Sequence, residues 1–435
     1  MGAVGRRAHR PAAGGGSGAD SRGGSSSGGP GNSPPGKGIF GKMSGRSEML
    51  RGWGFPEKEN LRRLARLAFG ARGLLVGGAD LALFFPLQSG GISGGTAQLL
   101  SYFPAAALFY LLIVRPGFIG KGNGGPRPSS RWPRPILFFF FSLLALFLRG
   151  GILATGTLSF DWPAGLAILP ASLLPFAVLL LACASYLLPG KGAPLSADER
   201  WGTLAGGMIV YALLLRLAYP GAVPLLGQEA YYWNYAQRLD LGYLDHPPMV
   251  AWVIWLMTRL HGDTELGVRL GGLAGWAVMA FFVAKLARNL FDSSTALRAV
   301  LLVSVLPFFF SMGLVTTPDS FLVASWAGCL HFLERSLLGG DRRGWWGAGV
   351  CAGLGLLSKY TIVLLGPAVL LFLILDRPSR RWLKRIGPYG AAFLAFLLFL
   401  PVLIWNAQHG WASFIFQGSR RFLDTFSFTL PELLG

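Results

Sequence analysis

Charge is scarce in this chain, and negative charge scarcer than positive: 14% of its 435 residues are charged, with 20 Asp and Glu against 39 Lys and Arg and a formal net charge of +19. So small a charged fraction excludes a chain that is solvated or disordered along its whole length. The positive excess does not point to nucleic acid, because Lys and Arg fall in short connections between apolar runs and in the N-terminal tail rather than on one face. Cysteine is nearly missing. Cys183, Cys329 and Cys351 each lie inside an apolar run, which excludes a disulfide framework or zinc spacing and leaves them as helix-packing residues. The first residues also lack the short apolar run of a cleavable signal peptide.

What is abundant is apolar surface, with 52% of residues hydrophobic. Residues 1–70 are the exception, a basic tail rich in Gly, Ser and Pro that has no periodic apolar face and reads as disordered. Beyond Arg72 about eleven runs approach the ~20 residues that cross a ~30 Å hydrocarbon core. They span 73–88, 98–114, 135–155, 165–188, 202–219, 266–286, 299–314, 320–332, 345–357, 361–375 and 388–405. The fold class expected is an all-α polytopic membrane protein with about eleven transmembrane helices.

Alternate connections carry the basic residues: 115–134, 191–200, 285–298, 334–343 and 377–385. By the positive-inside rule these and the N-terminus face the cytoplasm. The remaining connections, at 89–96, 159–164, 221–265, 316–319, 358–360 and from Asn406 onward, then face the other side and hold nearly every acid or polar residue of chemical interest.

Segment 221–265 is long for a membrane connection and is interrupted by Gln228, Glu229, Asn234, Asp240, Asp245 and His246. Tyr231, Tyr232, Trp233, Tyr235 and Tyr243 suit headgroup depth, where amphipathic rings are favoured. Pro247 and Pro248 stop any preceding helix, and Pro248 opens an apolar helix over 249–260, placing Asp245 and His246 at a pinned turn. Read without further context, the segment is an aromatic belt with a capping acid or a ligand-binding loop. His261 and His331 have no chemical company and read as structural.

Four ordered motifs carry a resemblance. Gln228-Glu229-Ala230-Tyr231-Tyr232-Trp233 followed by Gly242-Tyr243-Leu244-Asp245-His246-Pro247-Pro248 resembles the first external loop of the glycosyltransferase family 39 group. Thr316-Thr317-Pro318-Asp319 is similar to that group's acidic motif, Gly353 to Tyr360 to its lysine-bearing turn, and Trp405 to Trp411 to its later Asn and His motif. The resemblance covers about half the chain. It implies a GT-C core over 201–421, preceded by a four-helix transmembrane extension over 71–190 of unknown role. The last stretch, 422–435, stops short of the further helices that such relatives carry.

What the resemblance implies is an inverting transferase at a bacterial plasma (inner) membrane, related to protein O-mannosyltransferases and to the aminoarabinose transferase acting on lipid A. It would move a sugar from a polyprenyl phosphate to a lipid, glycan or protein acceptor on the external face, with membrane lipid as surroundings and no nucleic acid. Glu229, Asp245 and Asp319 are the expected catalytic acids. Lys359, His246 and Arg420 are expected at the donor phosphate, and Asp245 and His409 at a divalent metal ion such as Mg, Mn or Zn. Plainer readings stand beside these. Lys359 would be a snorkelling interfacial lysine, Asp319 a helix cap, Glu229 a first-turn acid favoured by the helix dipole, and His409 a solvated loop residue. The chain departs from the group at Gln228, where relatives carry an Asp taken to be the base, and Gln does not accept a proton usefully. Glu229, Asp245 or Asp319 would then take that role, or the acceptor would need none. A non-catalytic binder of lipid-linked sugar or a flippase accessory is the alternative function; a solute transporter, which would bury ionisable residues at mid-membrane, fits less well, because they stand mostly at helix ends, Asp80 being the clearest exception.

Overall fold

The computed structural model describes residues 71–114, 134–186 and 197–422. The chain divides into two units, Met1–Ser47 and Glu48–Gly435, and every described residue belongs to the second. The tail expected over 1–70 and most of 422–435 lie outside the described residues.

Among the described residues every regular element is helical. The apolar runs become α1 (Ala71–Ser89), α2 (Gly94–Phe109, continued by a π turn Tyr110–Val114), α3 (Arg134–Ser159), α4 (Ala164–Tyr186) and α5 (Ala197–Ala218). The polar segment supplies two short helices, α6 (Gly227–Gln237) and α7 (Met249–His261). There follow α8 (Glu265–Leu290), α9 (Ser293–Val305), α10 (Pro307–Met312), α11 (Pro318–Leu337) and α12 (Gly344–Ser358). A 3-10 turn Tyr360–Leu364 leads into α13 (Leu365–Leu375), a second one spans Ser379–Lys384, and α14 (Ile386–Gln408) and α15 (Ala412–Phe422) complete the order. By length and composition five segments can cross a membrane: Gly94–Leu112, Pro135–Ser159, Trp201–Ala218, Glu265–Leu290 and Ile386–Gln408. Five shorter apolar helices accompany them. The all-α polytopic class therefore holds, with the run at 299–314 divided in two.

That division has a local cause. Leu306 is extended (φ −62°, ψ 132°) ahead of Pro307, which lacks the N–H needed to continue α9 and disfavours a helical residue before it. Carbonyls freed by such a break need donors, above all where lipid surrounds the chain. Arg216 of α5 supplies them, donating to Ser304 O (3.0 Å) and Phe309 O (3.4 Å) with its guanidinium held between the rings of Trp276 and Phe310. A fully buried arginine is thus matched to helix-end carbonyls without a carboxylate.

The four N-terminal helices pack on Phe84, Ala97, Leu153 and Ile168 in one layer and on Tyr102, Phe109, Phe138 and Leu179 in another. Between the layers both Asp80 oxygens accept from Arg149 (2.8 Å each) and one also accepts from Ser172 (2.8 Å), while Arg149 reaches Ser101 as well (3.1 Å). All four helices contribute to this buried pair, which accounts for the acid within a run. Cys183, Cys329 and Cys351 are free and buried, in keeping with packing roles.

This four-helix group is bonded to the rest. Thr155 donates to Ala218 O (2.6 Å), Ser159 to Gly221 O (3.0 Å) and Tyr219 to Phe147 O (2.7 Å). Gly221 permits the approach, since a Cβ there would lie 2.1 Å from Ser159 Oγ. An open apolar groove of about 380 Å³ runs along the same seam, lined by Leu144, Phe147, Tyr211, Leu215, Tyr219, Phe310 and Leu314.

Candidate functional site

One end of the helix bundle gathers the last turn of α5, the first turns of α6, α8 and α11, the last turns of α12 and α14, and α15. The connections that meet here are those the basic-residue pattern set apart.

α6 starts at Gly227, and its N-terminal N–H groups favour an acid in the first turn. Glu229 is that acid, and it is fully buried. Its oxygens accept from Leu226 N (3.0 Å), Thr316 N (3.2 Å) and the Arg269 guanidinium (2.7 to 3.2 Å). Arg269, 3% exposed, spends its other N–H groups on the carbonyls of Pro220 (2.6 Å), Val223 (2.6 Å) and Pro224 (2.9 Å). Both carboxylate oxygens are thus taken up by donors of the protein itself. Glu229, expected as a catalytic acid, is joined with Arg269 in tying the start of the polar segment to the turn before Asp319. Gln228, beside it, is exposed.

The turn at Thr316 lies against α8, where Gly272 lets it approach: a Cβ there would stand 2.9 Å from Thr316 Oγ1 and from Val315 O. Gly272 N donates to Thr316 Oγ1 (3.0 Å), and Pro318 opens α11 with Asp319 in its first turn. Across from it α12 ends at Ser358, and Lys359, in extended conformation, sends its Nζ to both oxygens of Asp319 at 2.9 and 3.1 Å. The pair is open to solvent, with side chains 34% and 36% exposed.

Asp245 and His246 come from the turn closed by Pro247 and Pro248. Tyr235 and Tyr243 stack face to face (4.0 Å between centroids, 7° between planes), and Tyr243 N donates to His246 O (3.2 Å), which fixes the turn. The Tyr235 hydroxyl donates to Asp245 Oδ1 at 2.6 Å and accepts from Tyr231. His246 Nε2 lies 3.7 Å from Asp245 Oδ2, its Nδ1 is buried without a hydrogen-bond partner, and its ring meets Tyr232 edge to face. Burial holds the His246 pKa below its ordinary 6.5; Asp245 and Asp319 oppose that shift and Lys359 reinforces it. Burial also pushes the Tyr232 hydroxyl up to about 12, with Asp245 and Asp319 adding to the effect. These mutual influences bring Asp245, His246, Asp319 and Lys359 into one electrostatic neighbourhood.

The later motif closes it. Trp405 Nε1 donates to Asp240 Oδ2 (2.9 Å), and Gly242 leaves room for the indole. Buried Asn406 accepts from Ser413 N (3.2 Å), and the Ser413 hydroxyl meets that of Tyr360, next to Lys359. Gln417 of α15 donates to the backbone carbonyl of Asp245. His409 is exposed and lies flat on Trp405 (4.2 Å), with Nδ1 2.8 Å from the Trp405 carbonyl. Among the described residues no three His, Cys, Asp or Glu side chains gather as a metal site. Of the two expected metal ligands, Asp245 is engaged by the Tyr235 hydroxyl and His409 by the Trp405 carbonyl. Arg420 falls in α15, with its side chain outside the described residues. His261 is exposed, and His331 is buried among aromatic rings, Phe282 and Phe332.

Tyr235 and Tyr360, marked in the sequence only as an aromatic-belt residue and as the end of the lysine-bearing turn, complete the site together with Arg269 and Gln417. The sequence does not single out the last two, and of them only Arg269 carries a signal, as an ionisable residue within an apolar run.

Residues 245–405 match the family model described as dolichyl-phosphate-mannose-protein mannosyltransferase. Lipid A galacturonosyltransferase RgtD of Rhizobium johnstonii is 30% identical over 188 residues, which are 42% of this chain and 38% of that protein. The chain thus matches well under half the length of this curated relative. No solved structure matches.

Proposed function

Since residues 245–405 carry the pattern of the dolichyl-phosphate-mannose-protein mannosyltransferase family, we propose that the chain works as a membrane glycosyltransferase of the GT-C type. It takes a sugar from a polyprenyl phosphate and passes it, with inversion, to a lipid, glycan or protein acceptor on the external face of a bacterial plasma membrane. The observation that supports this best is the meeting of Asp245, His246, Asp319 and Lys359, from three separate segments, at one end of the bundle.

The chemistry suits these groups. A phosphate leaving group needs its growing negative charge neutralised more than it needs a proton donor, and the Lys359 ammonium supplies that charge. The acceptor hydroxyl needs a carboxylate within hydrogen-bond reach. With Glu229 enclosed by Arg269 and Gln at position 228, Asp319 and Asp245 remain for it. Asp245, oriented by Tyr235 and Gln417, and His246 beside it are suited to hold the donor's polar head. The ring of Tyr231, 44% exposed at the rim, suits packing against a sugar face.

Purified protein given a panel of polyprenyl-phosphate sugars should yield transfer product or donor hydrolysis. Inertness of both the native protein and a Gln228→Asp variant would overturn the reading. The exposed Gln228 favours one second reading, a binder of lipid-linked sugar without chemistry; donor binding that persists in Asp319→Ala, with no product under any condition, would support it.

A further inference from the structure

The Lys359–Asp319 pair sits where donor phosphate and acceptor hydroxyl would both have to be served. We propose that it is an exchange pair: Asp319 holds Lys359 while the donor is absent, and the departing phosphate takes Lys359 over as Asp319 accepts the acceptor's proton. This rests on the donor reading above and adds to it the base and the order of events.

Lys359 Nζ is bonded to both Asp319 oxygens, so in the resting site its charge is already cancelled. Of the other cations near these turns, Arg269 is buried against Glu229 and three carbonyls and is not released without undoing the first turn of α6. The Lys359–Asp319 pair differs from it in being about one-third exposed on both sides, so that separation uncovers no buried charge. Freeing Asp319 leaves a carboxylate at the open face.

The charges balance along the reaction. The acceptor oxygen bonds to the sugar's anomeric carbon, and the bond from that carbon to the phosphate oxygen breaks with its electron pair going to phosphate. The hydroxyl proton passes to an Asp319 oxygen. Asp319 goes from one negative charge to none, the phosphate goes from one to two, and Lys359 keeps its proton throughout. The ammonium loses its hold on one partner as its attraction to the other grows. Its interaction with phosphate is therefore stronger at the transition state than in the bound donor, the condition for raising the rate.

The test uses the full chain and farnesyl phosphate as a soluble probe of the phosphate site. If Asp319 competes for Lys359, Asp319→Asn should bind the probe about two- to five-fold tighter than the native protein while transfer falls by about 10²-fold or more. Lys359→Ala should bind weakly, and adding Asp319→Asn to it should restore no tightening. Asp319→Ser, which keeps a first-turn acceptor, should act like the Asn variant, and melting curves confirm that each variant is folded. Unchanged or weaker binding by both folded Asp319 variants overturns the exchange alone. A native protein that binds neither farnesyl phosphate nor a longer polyprenyl phosphate overturns the donor reading, and this proposal with it.

Discussion

At the scale of single residues, the division of labour among the acids follows from what each one touches. Glu229 and Arg269 are a buried pair with every strong donor and acceptor engaged, and removing one partner strands the other's charge. Either Glu229→Ala or Arg269→Ala should therefore cost about 3–5 kcal/mol, visible as a large drop in melting temperature in detergent. A native-like melt for Glu229→Ala would show that the pair does not hold the fold. His246 gives a pH prediction of definite sign. Its pKa is depressed by burial, so above its ordinary 6.5 both folded and unfolded chains hold it neutral. As pH falls below 6.5 the unfolded chain takes up a proton that the folded one declines, and stability is lost until the depressed folded value is passed. In His246→Gln, stability measured between pH 7 and the acid limb should lack that part of the slope. None of these partnerships is legible in the sequence. The four motifs carry their own order and spacing, but Glu229 and Arg269 stand 40 residues apart, with no local pattern joining them.

At the scale of elements, the apolar runs translate almost directly into helices, because length and apolarity are local properties. The run at 299–314 is instructive where it differs: hydropathy passes smoothly through Pro307, while the backbone cannot. The compensating donor, Arg216, belongs to a different helix, 88 residues from Ser304 in the chain. Arg216→Met should leave these carbonyls without partners at about 1–3 kcal/mol each, lowering the melting temperature, whereas Arg216→Lys should recover part of it. The seam between α3 and the end of α5 gives a second case. Gly221→Ala should meet Ser159 and Thr155 and cost about 1–3 kcal/mol; combining it with Ser159→Gly should restore much of the lost stability in the same thermal measurement.

At the scale of the whole molecule, the four N-terminal helices look in sequence like an addition without a purpose, since no motif marks them. Their bonds to Ala218, Gly221 and Tyr219 hold the chain where it leaves α5, just ahead of the carbonyls that Arg269 gathers. A chain beginning near residue 197 should therefore behave poorly even if α5 to α15 insert: size-exclusion chromatography should show it broadened or aggregated, and transfer should be lost. A monodisperse, active fragment would show the extension to be dispensable. The closures around the site set a timetable. Asp240 waits 165 residues for Trp405, and Asp245 waits 172 for Gln417. A chain emerging from the ribosome inserts α6 to α13 before either partner exists, and contacts so distant carry a high loop-closure cost. These closures are therefore made last, when α14 and α15 arrive, so the turn that carries Asp245 gains its final contacts only at the end of synthesis.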